Sequence, residues 1–306
     1  MILAVDIGGT EVKLGWADRE GNLYAKTSAS VCFDAYQTPI PETVVREAKR
    51  FLEGKEEPLE GVAVSACGQV DTETGVVIGT NGKIPGYEGT DLKALMEKEL
   101  GARTWALNDA NAAVMGEVFT GRARGLRDVV MITLGTGVGG GVITGGRMLG
   151  GRRGIAGEMG HFTLRADGPE CPCGKRGCYE SYASTTALVQ LCSEWSGQPG
   201  LNGKKIFEEI GQGNTLFQEA LNLWIQDIAA GLTGLIHLFN PEMVLIGGGV
   251  SRQEELLIRP LREAVLAGCM PRFAEGLRIE SAALGNDAGM IGAVRFWLDR
   301  EGGHIE

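Results

Sequence analysis

The sequence predicts an α/β protein with two lobes, and three observations support that prediction. Short apolar segments typical of buried strands alternate with segments in which apolar residues recur at helical spacing. The chain has 306 residues, which is enough for two lobes and a sizeable core. Glycine accounts for 48 of these residues, about twice its average usage, and much of it follows the apolar segments. Such glycines predict tight backbone turns, several of which approach a ligand.

Composition and charge exclude several classes of function. The net charge is −10, from 29 basic and 39 acidic residues, so nucleic acid and membrane surfaces are poor candidate partners. No apolar run has membrane-spanning length, and the first residues lack the basic flank of a signal peptide. The seven cysteines are odd in number and several are scattered, which indicates a reducing compartment. We therefore expect a cytoplasmic protein with neither nucleic-acid nor membrane partners.

A first glycine turn lies near the start of the chain. The apolar strand Ile2–Val5 leads into Asp6-Ile-Gly-Gly-Thr10, and a returning strand is predicted over Val12–Ala17. The turn of such a hairpin can expose backbone N–H groups to an anion. Thr10 and Lys13 could add a hydroxyl group and a positive charge. Taken alone, the motif fits a plain hairpin turn equally well.

The next part of the chain alternates helices with strands. Apolar spacing and a terminal glycine predict these helices: Glu42–Leu52 and Asp91–Leu100. Apolar runs predict these strands: Gly61–Ala66, Val76–Ile78 and Arg103–Leu107.

An Asn-Asp pair directly follows the last of these strands. Asn108 stands at the N-cap and Asp109 at the first position of a helix predicted over 109–120. The helix dipole favours the ionised form of a carboxylate at that position. Taken alone, such a pair is more often simple capping.

A second glycine turn follows the strand predicted over Asp128–Leu134. The residues from Gly135 to Gly141 contain Gly-x-Gly-x-x-Gly, the dinucleotide fingerprint, which requires a helix immediately afterwards. The sequence from Gly141 onward predicts a short strand and a turn instead, so we reject a Rossmann interpretation. Two glycine hairpins facing each other could grip a polyphosphate from both sides.

A cluster of potential metal ligands lies in a polar loop: His161, Cys171, Cys173 and Cys178. Three thiols and one imidazole form a tetrahedral donor set suited to a structural Zn²⁺ site. The loop offers no core in which the cysteines could be buried, and a disulfide would need an oxidising compartment. Two acidic residues, Glu158 and Glu180, flank the cluster.

The remaining chain is predicted to contain three helices, two strands and a third glycine corner. His237 lies on the apolar part of a long helix and is expected to be a satisfied core residue. The predicted elements are helices Thr185–Trp195, Phe217–Phe239 and Asp287–Leu298, strands Met243–Ile246 and Leu277–Leu284, and the corner Gly247–Gly249.

Taken in order, these motifs resemble the ROK family of sugar kinases and sugar-sensing repressors over nearly the whole chain. The motifs are Asp6–Thr10, Asn108–Asp109, Gly135–Gly139, Gly157–His161, Cys171–Glu180 and Ile246–Gly249. The resemblance implies a two-lobed actin-like ATPase (ribonuclease H-like) fold with ATP and sugar in the cleft. We expect a small N-terminal lobe of residues 1–107 plus 287–306 and a large C-terminal lobe of residues 108–286 with the zinc motif.

The resemblance also implies a role for each motif. The general base that takes the proton of the sugar hydroxyl would be Asp109, and Asp6 would lie near Mg²⁺. The implied ATP-binding residues are Asp6, Gly8, Gly9, Thr10, Lys13, Gly135, Thr136, Gly137, Gly139, Gly247, Gly248 and Gly249. The implied sugar-binding residues are Gly68, Asn81, Asn108, Asp109, Glu158, His161 and Glu180.

One departure from the family pattern concerns sugar specificity. Many members carry Asn-Leu-x-x-Trp where this chain has Asn81-Gly-Lys-Ile-Pro-Gly-Tyr87. The zinc loop would frame the sugar pocket, with His161 serving both the metal and the sugar. Family members are commonly dimers or tetramers, so we expect a homodimer or homotetramer.

The predicted function is therefore an ATP-dependent kinase acting on the 6-hydroxyl of a hexose, most readily glucose. N-acetylmannosamine, N-acetylglucosamine, fructose and β-glucosides remain alternative acceptors. A sugar-responsive regulator is a second class, but family repressors carry a helix-turn-helix domain ahead of the first glycine corner. A non-catalytic actin-like filament protein is disfavoured, because the zinc loop and its flanking glutamates would have no role there.

Overall fold

The structure, a computed structural model, describes residues 1–80 and 84–302. The chain divides into two compact units. The first unit comprises Met1–Gly125, Met148–Gly157 and Asn286–Glu306, and the second comprises Leu126–Arg147 and Glu158–Gly285. Each unit is built around one five-stranded sheet, so the α/β class predicted from the sequence is confirmed.

The elements are numbered along the chain. The strands are β1 (Ile2–Ile7), β2 (Glu11–Ala17), β3 (Leu23–Ser30), β4 (Gly61–Ala66), β5 (Gln69–Val70), β6 (Val77–Gly79), β7 (Arg103–Asn108), β8 (Val129–Leu134), β9 (Val138–Thr144), β10 (Arg147–Met148), β11 (Met243–Gly247) and β12 (Arg278–Ser281). The helices are α1 (Ile40–Leu52), α2 (Leu92–Leu100), α3 (Asp109–Phe119), α4 (Glu180–Ala183), α5 (Thr185–Ser196), α6 (Gly203–Gly211), α7 (Thr215–Phe239), α8 (Arg259–Gly268), α9 (Pro271–Ala274) and α10 (Ala288–Arg300).

The first sheet has the strand order β3-β2-β1-β4-β7. Its first three strands are antiparallel neighbours, whereas β1, β4 and β7 run parallel. The register aligns Ile7 with Ala66 and Ala66 with Asn108. The three chain segments that follow β1, β4 and β7 therefore leave the sheet at the same level, which is where open α/β sheets bind their ligands.

Two glycines bring helices α3 and α10 into close contact within the first unit. A Cβ atom on Gly292 would collide with the carbonyl oxygen of Ala112, and one on Gly116 with that of Ala288. This contact holds α3 in the first unit. The observed division therefore differs from the predicted one, which assigned residues 108–125 and 148–157 to the C-terminal lobe.

The second sheet has the strand order β10-β9-β8-β11-β12. Strands β8 and β9 form an antiparallel hairpin, and β8, β11 and β12 run parallel. Gly247 pairs with Thr133, so the second glycine turn and the third glycine corner leave the sheet at the same edge. The 25-residue helix α7 approaches Tyr179 closely, because Gly231 has no side chain to meet the tyrosine ring.

Most predicted elements are confirmed, and the differences have local causes. The hairpin after Leu134 continues as β9, which confirms that this motif is not a Rossmann fingerprint. The last predicted strand is shorter than expected, because a 3-10 turn at Gly285–Asp287 precedes α10. Neither β3 nor α6 was predicted, since β3 is a mostly polar edge strand and α6 lies between glycines.

No helix among the described residues combines the length and the apolar character that crossing a bilayer requires.

Candidate active site

The first glycine turn closes tightly between β1 and β2. The Gly8 N–H donates to the Glu11 carbonyl oxygen at 2.9 Å, and a Cβ atom on Gly8 would lie 3.1 Å from that oxygen. Within the described part of the chain, the Gly9 and Thr10 N–H groups meet no protein acceptor. The Tyr36 hydroxyl group donates to the Gly9 carbonyl oxygen at 2.7 Å. The turn therefore offers two amides to an anion and is braced from behind.

The carboxylate of Asp6 lies near the end of strand β1, just before this turn in the chain. Its Oδ2 accepts a hydrogen bond from Lys13 Nζ at 3.0 Å, and its Oδ1 accepts one from the Ser65 hydroxyl at 2.7 Å. The sheet register places both partners beside Asp6 on neighbouring strands. Mg²⁺ in nucleotide sites commonly takes one or two carboxylates together with phosphate oxygens and water. Asp6 fits that requirement, and sequence reasoning missed its Ser65 partner.

Asp109 begins helix α3 and is oriented by Asn108. The Asn108 Oδ1 caps the helix by accepting N–H groups of Ala110 at 2.9 Å and Asn111 at 3.1 Å. Its Nδ2 donates to the Gly68 carbonyl oxygen at 2.9 Å and to Asp109 Oδ1 at 3.0 Å. Asp109 itself is exposed. One side chain thus caps the helix, ties it to the loop after β4 and holds an exposed carboxylate at the positive end of the helix dipole.

The structure describes only part of the two loops that carry the predicted sugar-binding residues Gly68 and Asn81. Gly68 has φ +89°, and a Cβ atom there would lie 2.7 Å from the Gly79 carbonyl oxygen, so this position requires glycine. The predicted sugar contact Asn81 lies outside the described residues. Tyr87, the residue that departs from the family pattern, is completely buried. Its side chain therefore supports the loop and offers no exposed surface to a sugar.

Two neighbouring groups near Asp109 stay neutral at ordinary pH. Burial raises the pKa of the Cys67 thiol to about 12, and the charge of Asp109 adds to that effect. Burial also raises the pKa of the Tyr87 hydroxyl well above its ordinary value, assisted by the neighbouring Cys67. Neither group is therefore a candidate base at ordinary pH.

The second glycine turn resembles the first in its backbone chemistry. The Gly135 N–H donates to the Gly137 carbonyl oxygen at 3.0 Å. The N–H groups of Thr136 and Gly137 have no acceptor among the residues that the structure describes. The Val138 N–H, by contrast, donates to Glu180 Oε2 at 2.9 Å. A Cβ atom on Gly137 would displace the Glu180 carboxylate, so the glycine allows that carboxylate to lie against the turn.

The third glycine corner lies against the end of β8. Gly248 has φ +93°, and a Cβ atom on it would collide with the Leu134 carbonyl oxygen. The Ser251 N–H and hydroxyl groups both donate to the Gly248 carbonyl oxygen, at 3.1 and 2.8 Å. Gly249 is exposed and has open space around it. The corner is therefore fixed on its sheet side and accessible on the other.

Glu158 and His161 lie on a short 3-10 turn anchored to β9. The His161 N–H donates to the Glu158 carbonyl oxygen at 3.1 Å. Gly160 lies so close to β9 that a Cβ atom would collide with the Val138 carbonyl oxygen. Glu158 is exposed and His161 is half-buried. The turn is thus held at Val138, the residue whose N–H also donates to the Glu180 carboxylate.

The predicted metal ligands converge on one point. The ligand atoms of His161, Cys171, Cys173 and Cys178 all lie within 4.8 Å of one another. Cys171 Sγ is 3.6 Å from His161 Nδ1, and Cys173 Sγ is 3.6 Å from Cys178 Sγ. A tetrahedral Zn²⁺ with Zn–S bonds of about 2.3 Å requires sulfur atoms about 3.8 Å apart. The cluster therefore fits a closed structural zinc site.

The loop between the thiols is shaped by two glycines with left-handed backbone, Gly174 at φ +85° and Gly177 at φ +68°. Burial and the neighbouring thiols raise the pKa of Cys178 to about 12. The thiolate form, which binds metals, is therefore favoured at neutral pH only when a cation lies beside it. His161 faces the cluster through Nδ1. A metal on Nδ1 leaves the proton on Nε2, which then becomes a hydrogen-bond donor on the other side of the ring.

The structure gathers the predicted site residues into one set in each unit. The first set, at the carboxyl ends of β1, β4 and β7, consists of Asp6, Gly8, Gly9, Thr10, Lys13, Gly68, Asn108 and Asp109. The second, around β8, β9 and β11, consists of Gly135, Thr136, Gly137, Gly139, Glu158, His161, Glu180, Gly247, Gly248, Gly249 and the three cysteines. His237 accepts the Met270 N–H at 3.1 Å, which confirms that it is a satisfied residue.

Comparison with known proteins agrees with this geometry. A family model described as the ROK family matches residues 2–300. A glucokinase of Thermotoga maritima is 34% identical over an alignment of 315 positions, which covers 99% of this chain and 98% of the relative. A β-glucoside kinase of Listeria monocytogenes is 33% identical, and the alignment covers 99% of each chain.

A solved structure adds a ligand-bound relative. The ROK family glucokinase from Streptomyces griseus, in complex with glucose and AMPPNP, matches with a TM-score of 0.80 and 32% identity. The match covers 96% of this chain and 98% of that one. The resemblance seen in the motifs and the actin-like ATPase fold that it implies are thereby confirmed. The chain belongs to the ROK family.

Proposed function

We propose that this protein is an ATP-dependent sugar kinase that transfers the γ-phosphate to the 6-hydroxyl of a hexose, with glucose as the leading acceptor. The observation that carries the proposal is the exposed carboxylate of Asp109, fixed by Asn108 at the start of helix α3. Two glycine turns with open backbone amides supply the phosphate side. The glucokinases among the relatives support glucose as the first sugar to test.

Asp109 acts as the general base of the transfer. As the sugar oxygen bonds to the γ-phosphorus, the proton of the hydroxyl group passes to the Asp109 carboxylate and the bond to the ADP oxygen breaks. Phosphoryl transfer through a loose transition state depends mainly on positioning and charge neutralisation. The Asn108 Nδ2, held by the Gly68 carbonyl oxygen, keeps one oxygen of Asp109 in place while the carboxylate works.

The phosphate side relies on the main chain. The amides of Gly9 and Thr10 in one turn and of Thr136 and Gly137 in the other donate to phosphate oxygens. Asp6 is the carboxylate of this chain that would hold Mg²⁺, which would neutralise charge on the phosphates when it is bound with the nucleotide. When phosphate replaces the carboxylate as its partner, Lys13 adds a positive charge near the transferred group.

The acceptor side relies on Glu158, His161 and Glu180. Two carboxylates suit bidentate hydrogen bonds to vicinal sugar hydroxyl groups, and His161 Nε2 donates one more. His161 and the three cysteines of the cluster would hold Zn²⁺, which would supply structural stability and fix the tautomer of His161. The metal takes no part in the phosphoryl transfer.

A sugar panel with the purified protein, ATP and Mg²⁺ tests the proposal. We expect turnover in a coupled assay with glucose, and a loss of kcat of about 10²- to 10⁴-fold in Asp109→Asn, the range of general base catalysis. The relative kcat/KM values decide among glucose, N-acetylmannosamine, N-acetylglucosamine, fructose and β-glucosides. Absence of turnover with every sugar, or an Asp109→Asn variant equal to the wild type, would sink the proposal.

A sugar sensor is the second candidate, because the same family includes sugar-sensing repressors. Sugar binding by calorimetry with no turnover on any acceptor would favour it. We also propose a homodimer or homotetramer, which light scattering on the purified protein measures directly.

A further inference from the structure

One short segment, Glu180–Thr186, contacts the second glycine turn on successive peptides. At its start, Glu180 Oε2 accepts the Val138 N–H at 2.9 Å. At its end, the Thr185 N–H donates to the Gly135 carbonyl oxygen at 2.9 Å. The Thr186 hydroxyl group donates to the Thr136 carbonyl oxygen at 2.8 Å. The motif comparison assigned no role to either threonine.

These hydrogen bonds determine which way the peptides of the turn face. In a planar trans peptide, the C=O and the following N–H point in opposite directions. The Gly135 carbonyl shares its peptide with the Thr136 N–H, and the Thr136 carbonyl shares its peptide with the Gly137 N–H. Because Thr185 and Thr186 hold both carbonyls, the two amides that lack a protein acceptor are turned away from helix α5.

The third peptide of the turn is held differently. Its carbonyl, that of Gly137, accepts the Gly135 N–H, and its amide, that of Val138, donates to Glu180. The Val138 amide is thus withheld from an incoming anion. The turn presents the amides of Thr136 and Gly137, and the neighbouring segment selects them.

We propose that Thr186 is a positioning residue for the nucleotide phosphates. Its hydroxyl group aligns the Gly137 N–H with the anion by holding the carbonyl on the opposite side of the same peptide. This inference rests on the proposed function, since it assigns the turn to phosphate binding.

Helix capping does not account for the Thr186 contact. Ser184 is the N-cap of α5, and its Oγ accepts the Ala187 N–H at 3.1 Å. Thr186 lies in the first turn of that helix, is exposed, and directs its hydroxyl group out of the helix to the glycine turn. The hydrogen bond serves the turn.

The segment also joins the acceptor side to the phosphate side. Glu180 follows the metal ligand Cys178 by two positions and belongs to the proposed sugar contacts. Its carboxylate holds the Val138 amide while Thr186, six residues later, holds the Thr136 carbonyl. The metal loop and the proposed sugar carboxylate therefore lie on the same stretch of chain that holds the second glycine turn.

The test compares Thr186→Val, which removes the hydroxyl group at nearly the same size, with Thr186→Ser, which keeps it. Calorimetry with AMPPNP and Mg²⁺ in the absence of sugar reports nucleotide affinity without turnover. We expect Thr186→Val to weaken AMPPNP binding about fivefold, as the loss of one hydrogen bond does, and Thr186→Ser to stay within about twofold. In steady-state assays the KM for ATP rises in Thr186→Val, whereas the KM for sugar does not change.

Two results would overturn the inference: equal AMPPNP affinity of the valine and serine variants, or an equal loss of sugar and nucleotide affinity in Thr186→Val. Melting temperatures of both variants show whether the fold is intact. The proposed function fails separately. If the wild type binds AMPPNP but phosphorylates no sugar, the kinase proposal falls, and the comparison of the two variants still decides the role of Thr186.

Discussion

Asn108 caps helix α3 and also holds the neighbouring Asp109 carboxylate in place. Its Oδ1 satisfies two amides of helix α3, and its Nδ2 bridges the Gly68 carbonyl oxygen and Asp109. The helix cap and the position of the proposed base therefore depend on the same amide group. The two halves of that group can be separated by substitution.

We expect Asn108→Asp to keep the cap and impair the base. The substitution preserves the acceptor oxygen but replaces the donor with a second carboxylate beside Asp109, and a neighbouring negative charge raises a carboxyl pKa. A base works only when deprotonated, so a raised pKa of Asp109 moves the acid limb of the kcat/KM profile to higher pH. The pH–rate profile of the variant measures this shift.

Asn108→Ala is the matched comparison, since it removes both the cap and the donor. It is expected to lower the free energy of unfolding by about 1 kcal/mol. An acid limb at the wild-type position in Asn108→Asp would show that the donor does not act on Asp109.

Gly137 marks a second residue whose size is fixed by a neighbour. A Cβ atom there would collide with the Glu180 carboxylate that holds the Val138 amide. We expect Gly137→Ala to raise the KM for ATP, because the Glu180 carboxylate must move aside and then releases the Val138 amide. Steady-state kinetics check this. Gly211→Ala, in helix α6 with open space around the glycine, is the control and should match the wild type.

Some of these residues are found by sequence and others are not. Asp109, the two glycine turns and the metal ligands are found because their chemistry is compressed into short motifs. Ser65, Tyr36 and Thr186 act through single hydrogen bonds to residues far away in the chain, and no local pattern announces such contacts.

At the scale of elements, the first glycine turn is braced by a loop with an unusual backbone. Ala35 and Tyr36 both have left-handed φ, +56° and +63°, which costs non-glycine residues about 1–2 kcal/mol each. The loop places the Tyr36 hydroxyl group on the Gly9 carbonyl. That carbonyl shares its peptide with the Thr10 N–H, so the brace directs an amide as Thr186 does in the other turn.

We expect Tyr36→Phe to weaken AMPPNP binding about fivefold, because the ring stays and only the hydrogen bond is lost. Calorimetry measures the affinity. Tyr24→Phe is a matched control. Tyr24 lies on strand β3, and its hydroxyl group donates to Asp18 Oδ2 at 2.8 Å, so this variant also loses one hydrogen bond. Equal affinities of the two variants would contradict a role for Tyr36.

The metal loop contains little regular secondary structure. The expected result of Cys173→Ser, or of chelation, is a lower melting temperature and weaker sugar binding, because His161 loses the metal that fixes its ring. Zinc content, thermal unfolding and sugar calorimetry check both parts. Cys269→Ser, outside the cluster, should keep the zinc content. Unchanged sugar affinity in zinc-free protein would refute the link.

The elements themselves were mostly predictable, and the exceptions are instructive. A hairpin was distinguished from a Rossmann unit at Gly135–Gly141, because the residues that follow have strand character. Strand β3 was not found, since an edge strand needs few apolar residues and its pattern alternates polar side chains.

At the scale of the whole molecule, the first unit is assembled from three separate stretches of chain. The contact of α3 with α10, through Gly116 and Gly292, joins the first of these stretches to the last. The sequence could not reveal that boundary, because a glycine that permits helix contact looks like any other glycine in a helical segment.

Gly292→Ala is expected to destabilise the protein by about 1–3 kcal/mol, the usual effect of inserting a methyl group into a packed contact. The added Cβ atom would collide with the Ala112 carbonyl oxygen, so the helices must separate. Urea unfolding measures the difference. A variant as stable as the wild type would show that the contact contributes nothing.

The reliance on main-chain amides has an evolutionary consequence. Substitutions cannot delete an N–H group unless they introduce proline, so the amides that we propose as phosphate donors can persist while the side chains around them change. The sugar, by contrast, is proposed to bind to side chains, and side chains can change by substitution. The same fold can therefore change its sugar specificity while it keeps its nucleotide site. The presence of both a glucokinase and a β-glucoside kinase among the relatives is consistent with this separation.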